Sequence, residues 1–224
     1  MNIAIYDLDK TITRLPTFTR FLLFYARHKN PLRLLALPIW VLALIGYRLG
    51  FYPRKPLKQF GVLLFMGAKM PANTLNQMAA KFADDIVAND LQYGAITSVK
   101  SNRAAGHKLV LATAAPGFYA EHIGKRLKFD AVVATKHIIL PDGAVSYRID
   151  GENCYGAEKL KLVEAWFSDA QIERGGVRIR FYSDHHSDAP LFDWVDEAVL
   201  IAANPSTKLR ALAKANDWQI VNFS

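Results

Sequence analysis

Short apolar runs alternate with amphipathic stretches over most of the chain, and this alternation limits the fold more than any other feature of the sequence. An apolar run opens the chain, and after residue 95 several runs of strand length are followed by stretches with helical periodicity. Strands that alternate with helices form a parallel sheet with helices on its faces. We therefore expect an α/β fold with a doubly wound parallel sheet. The predicted strands are 2–7, 108–113, 131–134, 177–182 and 198–202, and the predicted helices are 117–127, 157–168 and 205–216.

The segment 15–94 has a different texture from the rest of the chain. It contains apolar runs at 21–26, 34–47 and 62–68, separated by basic residues and prolines, and then a helix-like stretch at 73–90. No alternation typical of strands is present there. We expect a helical insert, or cap, directly after the first strand. The predicted domains are thus an α/β core made of 1–14 and 95–224, and a helical cap at 15–94.

The positive charge of the chain is concentrated in this insert. The net charge is +8, yet the 74 residues from Lys10 to Ala83 contain 12 Lys or Arg and no Asp or Glu. The remaining residues hold 16 basic and 20 acidic side chains, a net charge of −4. A basic face exposed to solvent is the ordinary explanation of a charge run. Because acidic residues are missing altogether, we favour an anionic partner for the insert, either the substrate or a membrane surface.

Polar residues with catalytic potential fall where predicted strands end or helices begin. Asp7 and Asp9 follow the first strand, and Thr113 ends the strand at 108–113. Two further carboxylates follow the strand at 177–182, and a lysine opens the helix near 157. Ligands bind at the carboxyl ends of the strands of a parallel sheet, so these groups should meet in one site. The two carboxylates after the strand at 177–182 are Asp184 and Asp188, and the lysine is Lys159.

Clustered carboxylates are costly unless a cation compensates their repulsion, and hard oxygen ligands suit Mg²⁺. A magnesium ion would bring an anionic substrate close to an anionic nucleophile, while a lysine and a hydroxyl bind the remaining phosphate oxygens. A carboxylate that forms an aspartyl-phosphate divides hydrolysis into two easier steps. A second carboxyl two residues later can protonate the leaving oxygen and then activate water.

The order of these motifs resembles the haloacid-dehalogenase-like superfamily. That family has an Asp-x-Asp-x-Thr motif, a later Ser or Thr at a strand end, then a Lys and a closing acidic pair. The matching elements here are the run 7–11 (Asp-Leu-Asp-Lys-Thr), Thr113, Lys159 and the pair Asp184 and Asp188. The long insert after the first motif is similar to the helical cap of the phosphoserine-phosphatase-like branch, subfamily IB.

The resemblance implies a role for each matching residue. Asp7 is the expected nucleophile and Asp9 the expected general acid and base. Mg²⁺ would be bound by the Asp7 side chain, the Asp9 backbone carbonyl and Asp184, with Asp188 supporting the metal shell. The residues expected to bind the phosphoryl group or to orient its loop are Thr113, Lys159 and Thr11.

Three departures from the family pattern bear on the substrate and the site. Phosphoserine phosphatases have a Glu about nine residues after the nucleophile, where this chain has Pro16, which argues against an amino-acid phosphate. Ser187 stands where relatives commonly have Asn, so one phosphate or metal contact should differ. His185 and His186 also resemble part of a motif from another phosphoesterase family, but we interpret them as loop residues.

The uncharged run 34–47 allows two interpretations. It has 14 residues, fewer than the roughly 20 needed to cross a bilayer, and Pro38 would bend a helix there. In one interpretation the run is the buried core of the cap. In the other it lies in the headgroup region of a bilayer, with neighbouring arginines and lysines against anionic lipids. The insert loosely resembles that of phosphatidylglycerophosphatase C, which favours a lipid phosphate as substrate.

The leading functional hypothesis is therefore a Mg²⁺-dependent phosphomonoester hydrolase, with phosphatidylglycerophosphate as one candidate substrate. A soluble phosphatase acting on histidinol phosphate or a sugar phosphate is the first alternative. A catalytically inactive membrane- or nucleic-acid-binding protein is the second, although apolar runs between the charges suit lipid better than nucleic acid. The single cysteine, Cys154, and the absence of a basic leader lead us to expect a cytoplasmic protein, at the cytoplasmic face of a membrane if the insert binds lipid.

Overall fold

A central sheet forms the framework of the molecule. The computed structural model describes residues 1–224, apart from the side chain of Lys208. The strands, numbered along the chain, are β1 (Asn2–Tyr6), β2 (Lys69–Met70), β3 (Lys108–Pro116), β4 (Ala131–Thr135), β5 (His137–Ile139), β6 (Val145–Ile149), β7 (Arg178–Ser183), β8 (Glu197–Ile201) and β9 (Gln219–Val221). The α-helices are α1 (Phe18–Lys29), α2 (Leu37–Arg48), α3 (Arg54–Phe65), α4 (Ala72–Asn89), α5 (Tyr93–Ala104), α6 (Gly117–Arg126), α7 (Ala157–Asp169), α8 (Ala189–Trp194) and α9 (Thr207–Ala215).

Six strands form one sheet in the order β4-β3-β1-β7-β8-β9, and every neighbouring pair is parallel. The predicted α/β fold with a parallel sheet is confirmed. Strand β1 lies between β3 and β7, and Tyr6 is level with Leu111 on one side and Tyr182 on the other. The carboxyl ends of these three central strands are therefore adjacent, which is what places the candidate site.

Side chains of β1 alternate between two hydrophobic cores, one on each face of the sheet. Ile3 and Ile5 belong to the core that contains α7, whereas Ala4 and Tyr6 belong to the other. The second core continues without a break into the helices that follow β1, through Phe21 and other buried side chains. One face of the sheet is thus covered by the segment that the sequence singled out as an insert.

This segment is helical, as its pattern predicts. Helices α1, α3 and α4 each bury one apolar face, and the predicted helix at 73–90 corresponds to α4. Helix α4 also packs against α6, and Arg126 of α6 donates to Asp84 and to the Ala80 carbonyl. The division into a core of 1–14 plus 95–224 and a cap of 15–94 stays a prediction.

Helix α2 is the exception, because most of its apolar side chains face outward. Trp40 is its only buried residue among those that the structure describes, whereas Leu42 is 68% exposed and Leu35, just before the helix, is 79% exposed. The interpretation of 34–47 as a buried core is therefore wrong for this helix. Pro38 lies in the first turn of α2, where a missing N–H costs nothing. The exposed apolar side chains, here called the apolar α2 surface, are Leu32, Leu35, Leu37, Ile39, Val41, Leu42, Ile45, Leu49 and Phe51.

The stretch Pro31–Arg48 begins with a 3-10 helix and continues as α2. By length and composition alone it could cross a membrane, with a mean hydropathy of 1.4 over 18 residues, of which 6% are buried. The sequence analysis, which counted only the uncharged run 34–47, judged it too short to do so. Among the described residues no other helix meets the same criteria.

A second, smaller sheet was not predicted. Strands β5 and β6 pair antiparallel, and β2 of the insert pairs with β6. Their two to five residues are too few to give a clear alternating pattern, which explains why the sequence reading missed them. This sheet joins the insert to the segment after β4, and an ion pair between Lys69 and Asp142 accompanies the junction.

Candidate active site

A pocket of about 270 Å³ lies at the carboxyl ends of β1, β3 and β7. The loops at the strand ends and the helical insert both contribute residues to its wall, so the pocket lies between the sheet and the insert. Six of the seven site residues predicted from the sequence line it. The lining residues are Asp7, Asp9, Lys10, Pro16, Tyr47, Arg54, Thr113, Ala114, Tyr155, Lys159, Asp184, His185, Ser187 and Asp188.

Lys159 connects two carboxylates at the bottom of this site. Its ammonium group donates to Asp7 Oδ1 at 2.9 Å and to Asp188 Oδ2 at 2.6 Å, and its side chain is 2% exposed. Lys159 occupies the first turn of α7, which begins after Gly156 with φ of +61°. Ser183, the last residue of β7, also donates to Asp188 Oδ2, at 2.6 Å. Asp188 and Ser183 thereby fix the lysine that faces Asp7.

Burial and like charge perturb the titration of these groups. Burial raises the pKa of Asp7 to about 7, since the lowering effect of Lys159 is opposed by the nearby Asp188, Asp184 and Asp9. Burial likewise raises the pKa of Asp184 to about 6. Burial would lower the pKa of Lys159, but Asp188 and Asp7 outweigh it and hold the pKa above its usual range. One lysine thus faces an excess of carboxylate charge.

Asp9 is oriented by a residue that the sequence analysis did not single out. Thr17 donates from its backbone N–H at 2.8 Å and from its hydroxyl at 2.7 Å, both to Asp9 Oδ1. The Thr17 hydroxyl also lies 3.0 Å from the Tyr119 hydroxyl of α6. Asp9 is therefore held with its second oxygen free of these contacts. Because Thr17 lies just before α1, the start of the insert positions the acidic residue.

A tight turn follows Asp9. Lys10 has φ of +60°, and the N–H groups of Ile12 and Thr13 both donate to the Leu8 carbonyl at 3.0 Å. Lys10 lines the pocket, but Thr11 does not: its side chain is fully buried, and its hydroxyl has no partner among the described residues. The structure thus does not bring Thr11 to the pocket wall with the other predicted phosphate-binding residues.

Thr113 lies at an irregularity in the pairing of β3 with β4, between Thr113 and Pro116. The strand does not end at residue 113, as predicted, but continues to Pro116. The Thr113 hydroxyl accepts from the Ala115 N–H at 3.0 Å, which leaves its own hydrogen available for a ligand. Lys58 of the insert donates to the Ala114 carbonyl and, at 2.8 Å, to Asn153 Oδ1. Burial, reinforced by Arg54, lowers the pKa of Lys58 to about 7.

The loop after β7 carries the remaining predicted residues. Asp184 and Ser187 both line the pocket, and His185, interpreted from sequence as a loop residue, lines it as well. The Ser187 N–H donates to His185 Nδ1 at 3.1 Å, and the Ser187 hydroxyl lies 2.8 Å from the same nitrogen. Ser187 is thus engaged within its own loop.

A family model for haloacid dehalogenase-like hydrolases matches residues 4–193, which is most of the chain. The chain belongs to this family. The match begins in β1 and extends past Asp188, so it includes every residue that the sequence analysis placed in the site. The predicted membership in the haloacid-dehalogenase-like superfamily is confirmed.

Curated relatives in the family carry several names. Phosphoserine phosphatase SerB1 of Mycobacterium tuberculosis is 30% identical over 143 residues, which are 62% of this chain and 44% of the relative. The chain thus spans less than half the length of that protein. Protein CicA of Caulobacter vibrioides is 26% identical over 193 residues, 86% of this chain and 82% of the relative.

Solved structures agree with the fold over the full chain. A protein of unknown function from Bordetella pertussis has a TM-score of 0.87 at 26% identity, covering 100% of this chain and 99% of its own. A substrate-bound phosphoserine phosphatase has a TM-score of 0.63 at 16% identity, covering 98% and 92%. The likeness to the phosphatase shows a shared fold.

The donor groups of this family member fit a hard divalent cation. Asp188 Oδ1 is buried without a hydrogen-bond partner among the described residues, and burial, reinforced by the neighbouring carboxylates, raises the pKa of Asp7 and of Asp184. In the part of the chain that the structure describes, no three His, Cys, Asp or Glu side chains form a complete ligand group by themselves. A cation here would thus complete its shell with a backbone carbonyl and water, as Mg²⁺ commonly does.

The sequence did not predict the residues that hold the site side chains by hydrogen bonds, or those that line the pocket through tertiary packing. Ser183 could have been noticed, because it is a polar residue at the end of a buried strand. Thr17 carried no signal apart from its place before a helix. Tyr47, Arg54 and Tyr155 line the pocket only through tertiary packing, and Arg54 lies 4.2 Å from the centre of the Tyr155 ring.

Proposed function

We propose that the protein is a Mg²⁺-dependent phosphomonoester hydrolase in which Asp7 forms an aspartyl-phosphate. The observation that carries this proposal is the buried contact of Lys159 with Asp7 and Asp188, next to Asp9 and Asp184 in one pocket. A carboxylate faced by a fixed ammonium group, with more carboxylates than the lysine can neutralise, suits the transfer of a dianionic phosphoryl group. The names of the phosphatase relatives support the same reaction class.

The residues expected to hold Mg²⁺ are the Asp7 side chain, the Asp9 backbone carbonyl and Asp184, with Asp188 supporting them. When bound, the ion would supply positive charge that offsets the repulsion between the carboxylates and the phosphate. Thr113 would donate its hydroxyl hydrogen to a phosphate oxygen, and Lys159 would add charge-assisted hydrogen bonds. Thr11, which is fully buried, acts on the turn after Asp9 and not on the phosphate.

In the first step an oxygen of the ionised Asp7 attacks phosphorus, and the bond from phosphorus to the substrate oxygen breaks. Asp9 in its protonated form gives its proton to that oxygen, so the product leaves as an alcohol. Thr17 holds Asp9 Oδ1 by two hydrogen bonds, which keeps the carboxyl directed at one place during the transfer.

In the second step water attacks the phosphorus of the aspartyl-phosphate. Asp9, now ionised, accepts a proton from this water, and the bond between Asp7 and phosphorus breaks. The products are inorganic phosphate, an ionised Asp7 and a protonated Asp9, which is the state that started the cycle. Both steps use one acid–base residue in two protonation states.

The pocket argues against phosphoserine as substrate. Pro16 lies in its wall at the point where an acidic residue would receive an ammonium group. The carboxylates among the described lining residues are Asp7, Asp9, Asp184 and Asp188, all of which lie next to β1 or β7. None of them comes from the insert, so a substrate ammonium group has no counter-charge outside the catalytic cluster.

A lipid phosphate is the substrate that we favour, because α2, the helix that carries the apolar α2 surface, also contributes Tyr47 to the pocket wall. Part of the insert's charge is used internally, since Arg20 pairs with Asp90 and Lys55 with Glu152. In the described part of the chain Arg27, Lys29 and Arg48 have no ion-pair partner. Apolar side chains between free cations are typical of a surface that binds anionic lipids. We place the protein at the cytoplasmic face of a membrane.

Phosphate release from a panel of substrates tests this function. The panel contains phosphatidylglycerophosphate and phosphatidic acid as lipids, and histidinol phosphate, a sugar phosphate and phosphoserine as soluble substrates, each with Mg²⁺. We expect release from the lipids and its loss in Asp7→Asn, while Asp169→Asn, which changes an exposed aspartate, remains active. Turnover of soluble substrates alone would contradict the lipid assignment. No turnover at all would favour the inactive binding protein.

A further inference from the structure

We propose that the groove between α2 and α3 binds the acyl chain of the substrate while its phosphate lies at Asp7. This inference rests on the phosphohydrolase function proposed above and names the substrate class as a phosphate ester with a long apolar chain. The groove is separate from the catalytic pocket and has a volume of about 310 Å³, within the range of small-molecule sites. Its lining residues are Ala43, Tyr52, Pro56, Leu57 and Phe60.

The chemistry of the groove suits hydrocarbon. Four of its five lining side chains are apolar, and the fifth, Tyr52, has its hydroxyl engaged as a donor to the Ala43 carbonyl. The only polar side-chain group in the groove is therefore already satisfied within its wall. A groove without unpaired donors or acceptors has little affinity for water or for a polar ligand, and gains free energy when an apolar group fills it.

The groove and the pocket are built by the same two helices. On α2, Ala43 lines the groove, and Tyr47, one turn further along, lines the pocket. On α3, Pro56 and Leu57 line the groove, and Arg54, in the first turn, lines the pocket. Residues four apart on a helix lie on the same side, so the two cavities follow one another along this pair of helices. One molecule can then occupy both.

The surroundings favour a lipid over a protein as the occupant. Leu42 and Phe51 of the apolar α2 surface are next in sequence to Ala43 and Tyr52 of the groove, and the cations of the insert that lack ion-pair partners match a phosphate-bearing lipid. Arg54 lines the catalytic pocket from the same helix that lines the groove, lies 4.2 Å from the centre of the Tyr155 ring, and carries a charge that suits a phosphate. The occupant to which we commit is therefore a single acyl chain.

A series of alkyl phosphates from butyl to decyl, kept below their micelle concentrations, tests this inference. We expect kcat/KM of the native protein to rise about twofold to fourfold for each added methylene until the groove is filled. The rise should flatten in Phe60→Ser, which removes a groove wall, and in Ala43→Trp, which fills the groove. Leu63→Ser is the matched control, because Leu63 lies on the same helix, is 38% exposed against 37% for Phe60, and does not line the groove.

The outcomes separate the groove from the proposed reaction. If all alkyl phosphates are hydrolysed at the same efficiency, or if Phe60→Ser and Leu63→Ser keep the same dependence on chain length, the groove assignment is overturned and the hydrolase function stands. If nothing is hydrolysed, calorimetry with decyl phosphate and the Asp7→Asn protein decides the groove alone. Binding that weakens in the Phe60→Ser background, but not with Leu63→Ser, supports it, and equal binding overturns it.

Discussion

The site at the sheet edge buries charged side chains, whereas the apolar α2 surface exposes apolar ones. At the site, charges are buried and partnered: Lys159, at 2% exposure, holds Asp7 and Asp188. At the α2 surface, apolar side chains are exposed, and of the cations in the insert Arg27, Lys29 and Arg48 have no ion-pair partner among the described residues. A buried ionic cluster is retained for chemistry, because burial costs stability. An exposed apolar surface is retained for contact with another phase or molecule.

The two regions meet through a few residues of the insert. Thr17 holds Asp9, and Lys58 holds the backbone at Ala114, directly after Thr113. Tyr47 and Arg54 complete the pocket wall. In the proposed mechanism the insert would place catalytic groups, and its surface would contact the substrate. Variants on either side should separate these two effects.

The largest effect is expected from Lys159→Met, which leaves two buried carboxylates without their cation. We expect activity to fall by about 10³-fold or more and the free energy of unfolding by about 3–5 kcal/mol. Phosphate release and urea unfolding measure the two losses. Lys161→Met is the matched control, since Lys161 pairs with Glu158 at the exposed surface and its loss should change stability little. Equal losses of activity and stability in both variants would contradict a special role for Lys159 in the buried cluster.

A pH dependence of stability should mark the site in the metal-free protein. Burial raises the pKa of Asp7 to about 7 and of Asp184 to about 6, from a usual 3.8. At a pH above the usual pKa and below the raised one, the folded protein holds protons that the unfolded chain has released. The free energy of unfolding should therefore fall as pH rises from about 4 to 7. At about 1.4 kcal/mol per pKa unit, the two raised pKa values together correspond to a change on the order of 7 kcal/mol. Urea unfolding at several pH values measures it; Asp7→Asn should reduce the slope, and a rise with pH would contradict this charge distribution.

The double substitution Leu35→Ser and Leu42→Ser tests the other region. If these exposed leucines enter a bilayer, binding to anionic vesicles should weaken by at least about tenfold, while stability changes by less than about 0.5 kcal/mol. Vesicle flotation at low salt measures the binding. Ile139→Ser is the control, because Ile139 is 63% exposed but belongs to the small sheet and not to the α2 surface. Unchanged flotation of the double variant would show that this surface does not contact lipid.

The smallest effect is expected from Thr17→Val, which removes one of the two hydrogen bonds to Asp9 Oδ1 and keeps the shape of the side chain. Loss of a hydrogen bond to a charged group should lower kcat about tenfold. The pH profile of kcat should shift as well, because the environment of the acid–base group changes. Thr97→Val, on the exposed side of α5, should leave both unchanged. A reduced stability with an unaltered pH profile would make Thr17 a purely structural residue.

The sequence predicted the sheet and the grouping of the site residues in one pocket better than it predicted which face of the insert is exposed. Asp7 and Asp184 could be placed together because each follows a strand, and the end of an apolar run predicts where a strand ends. The two strands are neighbours in the sheet. Helix positions in 15–94 were also legible, yet which face of α2 is buried depends on contacts between distant residues, such as Trp40 against α1 and α3. The pattern at 34–47 is apolar on all sides, so periodicity carried no information about its exposure.

Chemical trapping of a covalent intermediate tests the central claim most directly. With an aryl phosphate, whose leaving group needs no proton from Asp9, the first step should continue in Asp9→Asn while the second step, which needs Asp9 to activate water, slows and the phosphoenzyme accumulates. After an acid quench with substrate and Mg²⁺, mass spectrometry should locate a hydroxylamine-sensitive phosphoryl group on the peptide that contains Asp7, and Asp7→Asn should abolish it. A phosphoryl group on His185, or turnover by Asp7→Asn at the native rate, would contradict the assignment of Asp7 as the nucleophile.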